Sequence, residues 1–234
     1  MKRFWWVLLV LLIAAVHLFA ATKHKEHVVL LGTPHHVAYS PAGDPSGALP
    51  DEKTLKIRPL LVDDQVKEWT TGEAHDVTDR SFAVRRAIRL NDSLPGENSP
   101  KNSASAASRW AWQRGPWLLV DRKSAHISAL HLPDYDPGVS QVAWFRDYAA
   151  YCGLAASGKN LVAVVIQLSA HKPMLTKKLA VWNAAEHSRP ACALPEWQRV
   201  PLRITFQPAG AQAVSFDLVP GSALLVEDSG EDSE

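Results

Sequence analysis

The chain has 234 residues, 47% of them hydrophobic and 21% charged, with a formal net charge of +1. A balance this close to neutral excludes a broad basic surface for nucleic acid, and the apolar share excludes a wholly disordered chain. Two cysteines, Cys152 and Cys192, leave no CxxC redox pair and no cysteine-rich zinc cluster.

Lys2 and Arg3 precede a run of 18 residues, 4–21, that carries no formal charge. Residues 1–22 are therefore predicted to be an apolar helix serving as a signal peptide or a membrane anchor. Trp5 and Trp6 suit a membrane interface. Cleavage after Ala20 or Ala21 leaves Leu18 or Phe19 where signal peptidase takes a small side chain, so a cleaved signal and an uncleaved anchor both stay open. Either way the body of the protein is expected outside the cytoplasm, free in the periplasm or held on the inner membrane and facing it. In that compartment Cys152 and Cys192 are a candidate disulfide, the alternative being two small buried hydrophobes.

Residues 23–226 are predicted to form one mainly β, antiparallel domain, as a meander, a sandwich or a partial propeller-like sheet. HVVLLGTPHHVAYSP reads as two short strands around a turn at Gly32 to Pro34, followed by a proline-rich linker over Pro41 to Pro50. TLKIRPLLVDDQVKEWTTG reads as a hairpin turning at Asp63-Asp64, its second strand closing at Trp69 before Gly72. SFAVRRAIRL is read as a strand with Phe82, Val84, Ile88 and Leu90 on one face. Arg86 falls on that apolar face and needs a partner, for which Asp76 or Asp79 is at hand. Residues 91–108 are small, polar and proline-containing, and are expected to be a flexible loop.

The second half carries more strand signal. A strand from Trp110 ends near Val120, turns at Asp121 to Ser124 and returns through Ile127 and Ala129. Further strands are expected in GVSQVAWFRDYAAYCGLAASGKNLVAVVIQL, in LTKKLAVW, and in a hairpin about Ala209-Gly210. The nearest candidates for helix, around Val142 to Tyr151 and Trp182 to His187, are short. Five acids in 227–234 form a tail with nothing apolar to bury, expected to be disordered.

The segment from Trp117 to Trp182, above all VAWFRDYAAYCGLAASGKNLVAVVIQL, resembles one blade of a β-propeller. EWTTGEAHDVTDRSF, RWAWQRGPWLLVDR and WFRDYAAYCG together resemble a family of exported bacterial proteins. That resemblance implies export and carries no catalytic residue across.

The densest set of titratable groups is GEAHDVTDR, where His75, Asp76, Asp79 and Arg80 fall within six residues. A histidine beside carboxylates can act as a general base, with Arg80 holding an anion, although the same residues suit an ordinary turn. His24 with His27 and His35 with His36 lack an H-E-x-x-H frame and a third ligand, so no metal and no cofactor is expected. Seven tryptophans lie beyond the leader. Trp110, Trp112 and Trp117, with Arg109 and Arg114 nearby, are the candidate ligand-binding group, mixing aromatic and cationic contacts.

The expected function is thus an exported, non-catalytic binding or structural module of the cell envelope, with a protein or small-molecule partner and no nucleic acid. Two alternatives stand beside it. One is a periplasmic hydrolase using His75 and Asp76, with or without a metal. The other is an envelope assembly subunit that reaches the membrane through an uncleaved N-terminal helix.

Overall fold

The computed structural model describes residues 26–40, 53–91, 110–169, 172–182, 191–219 and 222–226. The leader, the linker after Pro41, all of the 91–108 loop except Asn91, the helix candidate beyond Trp182 and the acidic tail lie outside them. The described part is mainly β, in three antiparallel sheets. Among the described residues no helix is long and apolar enough to cross a membrane.

In the first sheet, β1 (Val29–Leu31) and β2 (His35–Ala38) each pair with β3 (Thr54–Val62). From β3 the chain meanders through β4 (Gln65–Thr78), β5 (Ser81–Asn91), β6 (Trp110–Asp121) and β7 (Ile127–Ala129). The β3–β4 hairpin turns on Asp63-Asp64 as expected. Both residues sit at positive φ, 50° and 64°, the twist that a two-residue turn between right-twisted strands requires. Asp63 also accepts the Val28 N–H at 3.1 Å and pairs with His27 Nδ1 at 3.0 Å, clasping the start of the described chain. The sheet curls until Tyr39, just past β2, bridges Trp112 of β6 in parallel. The Ser40 N–H donates to the Trp112 carbonyl at 3.0 Å.

Two expectations about this sheet are corrected. β4 does not stop near Trp69 but continues to Thr78, because Gly72 at φ 76° absorbs an irregular register between Thr71 and His75. The bulge between β5 and β6 falls on β6, where Gly115 and Pro116 stand opposite Arg86 alone, so β5 keeps its alternation: Ala87 shares the face of Arg85 and is buried with Leu55 and Ile57, while Ile88 is 37% exposed. Arg86 stays on the face of Val84, where it pairs with Glu68 at 2.9 Å, not with Asp76 or Asp79. Ahead of the bulge, Phe82 and Val84 stand opposite Val120 and Leu118 and join Leu60 in a core. Arg85, one residue on, points to the other face, in a row with Thr71 of β4 and Trp117 of β6.

The second sheet runs in sequence through β8 (Ala143–Phe145), β9 (Tyr148–Leu154), β10 (Asn160–Gln167) and β11 (Leu175–Val181). The third does the same through β12 (Glu196–Gln198), β13 (Arg203–Phe206), β14 (Val214–Val219) and β15 (Ser222–Val226). The second sheet is buried on both faces. Ala150, Cys152, Leu161, Ala163 and Val165 pack with Ile204, Phe206 and Phe216 of the third sheet. Ala149, Tyr151, Val162, Val164 and Ile166 pack on the other side with Leu132 and Val142, and Trp117 and Trp144 lie against them. Burial on both faces is why residues 161–166 read as an unbroken apolar run.

The same arrangement decides between the strand reading and the helix candidate over Val142 to Tyr151 in favour of strands, β8 and β9. Ala149 and Ala150 serve opposite cores, a demand that a period of two meets and a one-sided helix does not. Cys152 and Cys192 form a disulfide within the larger core, their Cα atoms 6.3 Å apart across 40 residues of sequence. The blade-like segment is divided. β8 to β11 are a four-stranded meander, whereas residues 117–129 belong to the first sheet, which has seven strands and closes through Tyr39 and Trp112.

Candidate ligand-binding cleft

The four candidates in GEAHDVTDR sit in extended chain and at its turn, and that separates them. His75 stands opposite Ala83, on the face that carries Arg85. Its ring stacks on Trp144 at 5.2 Å and 18°, and Nε2–H donates to the Arg146 carbonyl at 2.7 Å. Asp76 stands opposite Phe82 on the other face and pairs with Arg122 at 2.5 Å. The Arg122 guanidinium in turn lies 4.7 Å above the Phe82 ring. Asp79 is exposed in the β4–β5 turn, and Arg80 pairs with Asp121 at 2.6 Å. Among the described residues no three His, Cys, Asp or Glu side chains gather in one place.

Asp121 organises the turn after β6. Its Oδ1 accepts the N–H groups of Lys123 and Ser124 and the Ser124 hydroxyl, while Oδ2 takes Arg80. The Ser124 N–H first, then Arg80 against opposing desolvation, holds its carboxyl well below the usual carboxylate range. Because the folded value lies below the unfolded one, this stabilisation is present above about pH 4 and is lost as pH falls further toward the folded value. Asp121→Asn is therefore expected to destabilise the protein at pH 7 and to match the parent more closely at pH 3, as read by urea unfolding at both. An equal gap at the two pH values would contradict that role.

The principal concavity lies between the first sheet and the segment leading into β8, with a volume of about 790 Å³. The row Thr71, Arg85 and Trp117 lines it from the sheet, and Arg114 joins from β6. Tyr135, Ser140, Val142 and Trp144 form the opposite wall. That wall is tied to β9 by several bonds. The Tyr151 hydroxyl donates to the Pro133 carbonyl at 2.6 Å, and burial pushes its ionisation far above the ordinary tyrosine value. Leu154 N–H donates to Asp134 at 2.8 Å, and Cys152 N–H to the Ser140 hydroxyl at 3.2 Å. Gly153 permits this approach, since a Cβ there would lie 2.6 Å from the Asp134 carbonyl oxygen.

Arg85 and Arg114 stand on the cleft face of the sheet, whereas Lys56 and Arg58 flank Ile57 and send their side chains to the opposite face. Arg85 is positioned by donating to the Gly115 carbonyl at 3.0 Å, and Arg114 by donating to the Tyr39 hydroxyl at 3.0 Å. Trp117 and Trp144 meet edge to face at 5.0 Å. Each carries a buried indole N–H that finds no acceptor among the described residues.

The tryptophan trio does not act as a unit. Trp117 and Arg114 reach the cleft, but Trp112 packs edge to face on Trp69 at 5.6 Å, in the cluster around Leu55 and Ile57. Trp110 begins β6, and Arg109 lies outside the described residues. Lys56, Arg58, Arg85, Tyr135 and Trp144 were not singled out by sequence. No family model, curated protein or solved structure matches the chain.

Proposed function

We propose that the protein is an exported, non-catalytic binding module of the cell envelope whose ligand seats in the cleft between the first sheet and the 133–144 wall. The observation that carries this reading is the cleft itself, where two tryptophans and two arginines, Arg85 and Arg114, come together from distant parts of the chain. The Cys152–Cys192 disulfide is consistent with an oxidising compartment and so with export. The hydrolase reading requires His75 and Asp76 to act on one substrate. They project from opposite faces of β4, and the His75 ring is engaged by Trp144 and Arg146.

The indole N–H resonances of Trp117 and Trp144 report directly on the site. Titrating ¹⁵N-labelled protein with fractionated envelope oligosaccharides and small metabolites is expected to shift those two signals together. Saturable shifts confined to the third sheet, or hydrolysis of a fraction lost in His75→Ala, would overturn the reading.

A further inference from the structure

We infer that one corner of the first sheet rests against a phospholipid membrane, through an apolar row formed by Leu30, Leu61 and Val66 with Val28 beside it. This inference rests on residues 4–21 being kept as a membrane anchor, and not on the cleft being a binding site.

Three observations carry it. The first is a burial pattern at odds with its sequence. Residues 28–31, VVLL, are apolar at every position, the pattern of a strand covered on both faces. Val29 and Leu31 stand opposite Val62 and Leu60 and pack on the core of Phe82 and Val84. Val28 and Leu30 point the other way and are 55% and 52% exposed. The register sets Leu30 opposite Leu61, and Leu61 opposite Val66, which is 50% exposed. An apolar row thus crosses β1, β3 and β4 on one face, and a contiguous exposed patch of this kind marks an interaction site. By contrast Leu224 and Leu225, also exposed, are adjacent on β15, point to opposite faces and form no such row.

The second observation is where the row lies. Asp63 holds His27 at 3.0 Å and the Val28 N–H at 3.1 Å, so the chain arriving from the N-terminus enters the sheet at the row. Ala21, the last residue of the uncharged run, precedes Val28 by seven positions. Seven residues reach at most about 25 Å when fully extended, so an anchor that leaves the bilayer at Ala21 keeps the row within that distance of its surface. Lys23 and Lys25, in the connection, suit the head-group layer.

The third is charge. Glu26, Asp64 and Lys67, the exposed charged side chains flanking the row in sequence, are of mixed sign. Such a border does not select a strongly acidic or basic partner. It fits a lipid interface, where an apolar face sinks between head groups while its polar surroundings stay wet.

The test places the full chain, leader included, in nanodiscs of phosphatidylethanolamine and phosphatidylglycerol that hold one chain each. A fraction of the lipids carries a nitroxide on the head group, and valine and leucine methyl signals are followed by NMR. The methyls of Val28, Leu30 and Val66 are expected to lose about threefold or more in intensity, while those of Leu224 and Leu225 keep theirs. Leu30→Asp combined with Val66→Asp is expected to abolish the loss at Val28. The milder Val66→Thr, which suits a strand as well as valine does, is expected to reduce it by about half. Unshifted core methyls of Val84 and Leu118 show that each variant is folded. A row that keeps its intensity while the chain stays in the disc overturns the membrane contact and leaves the anchor standing. A mature chain that begins near Thr22 overturns the anchor and the contact together. Equal losses at Val28 and Leu224 overturn the contact, since no face is then preferred. Shifts of the row that appear only in discs holding two chains also overturn it, and assign the face to a second copy.

Discussion

Replacing Cys152 and Cys192 together by alanine is expected to lower stability by about 4 kcal/mol, the chain-entropy value for a loop of this length. In a domain of this size that corresponds to a fall in Tm of about 10 °C. The bridge joins β9 of the doubly buried sheet to the segment ahead of β12, where Cys192 bridges Pro208 and Ala191 N–H donates to Val139 at 2.8 Å. It therefore ties the second sheet to the third as well as closing a loop. Urea unfolding of the oxidised parent, the reduced parent and the double variant checks this. Reduced parent and variant are expected to coincide, both well below the oxidised form. A difference under about 1 kcal/mol between oxidised parent and variant would show that the core alone holds the two sheets together.

Gly153→Ala is expected to cost about 3 kcal/mol, the upper range for forcing extra volume into a packed site. The added Cβ meets the Asp134 carbonyl oxygen at 2.6 Å and its carbon at 3.1 Å, and these are backbone atoms that no rotamer change can move. Relief requires β9 and the 133–136 segment to part, which breaks the Leu154 to Asp134 bond and shifts Tyr135 in the cleft wall. A loss of stability and a loss of ligand affinity are thus expected from the same substitution. Gly158→Ala is the control. That glycine sits at φ 68° with nothing within 4 Å, so alanine there incurs only backbone strain of about 1 kcal/mol and leaves the cleft intact. Thermal melts and indole-monitored titrations on both variants separate the two effects. Equal melting temperatures would refute the steric account.

Strand identity was largely legible because it rests on local patterns. The Asp63-Asp64 turn, the Asp121 to Ser124 turn and the Ala209-Gly210 turn all fall where turn residues interrupt apolar alternation. Two strands escaped notice, β12 and β15: the three residues Glu196–Gln198 are too few to show a period, and Ser222–Val226 exposes Leu224 and Leu225 side by side in place of an alternation. Faces were less legible than strands. The bulge falls on β6 at Gly115-Pro116 and leaves the alternation of β5 intact, but the sheet carries a core on each face and buries Ala87 as well as Val84, which no pattern within β5 shows. The site was legible in halves. Trp117 and Arg114 stood out by type, but Trp144 and Tyr135 join them only through tertiary packing. His75 and Asp76 looked convergent because they are adjacent in sequence, yet adjacency in a strand is what sends them to opposite faces.

The clasp at Asp63 sets how the protein bears force. Tension arriving along the N-terminal chain, as from a membrane attachment, meets first the bonds from Asp63 to His27 and Val28, then the three-residue ladder between β1 and β3. Neither β5, β6 nor the 133–144 wall lies on that line. A pull strong enough to peel β1 away is met at the rim of the first sheet, before it reaches β5 and β6.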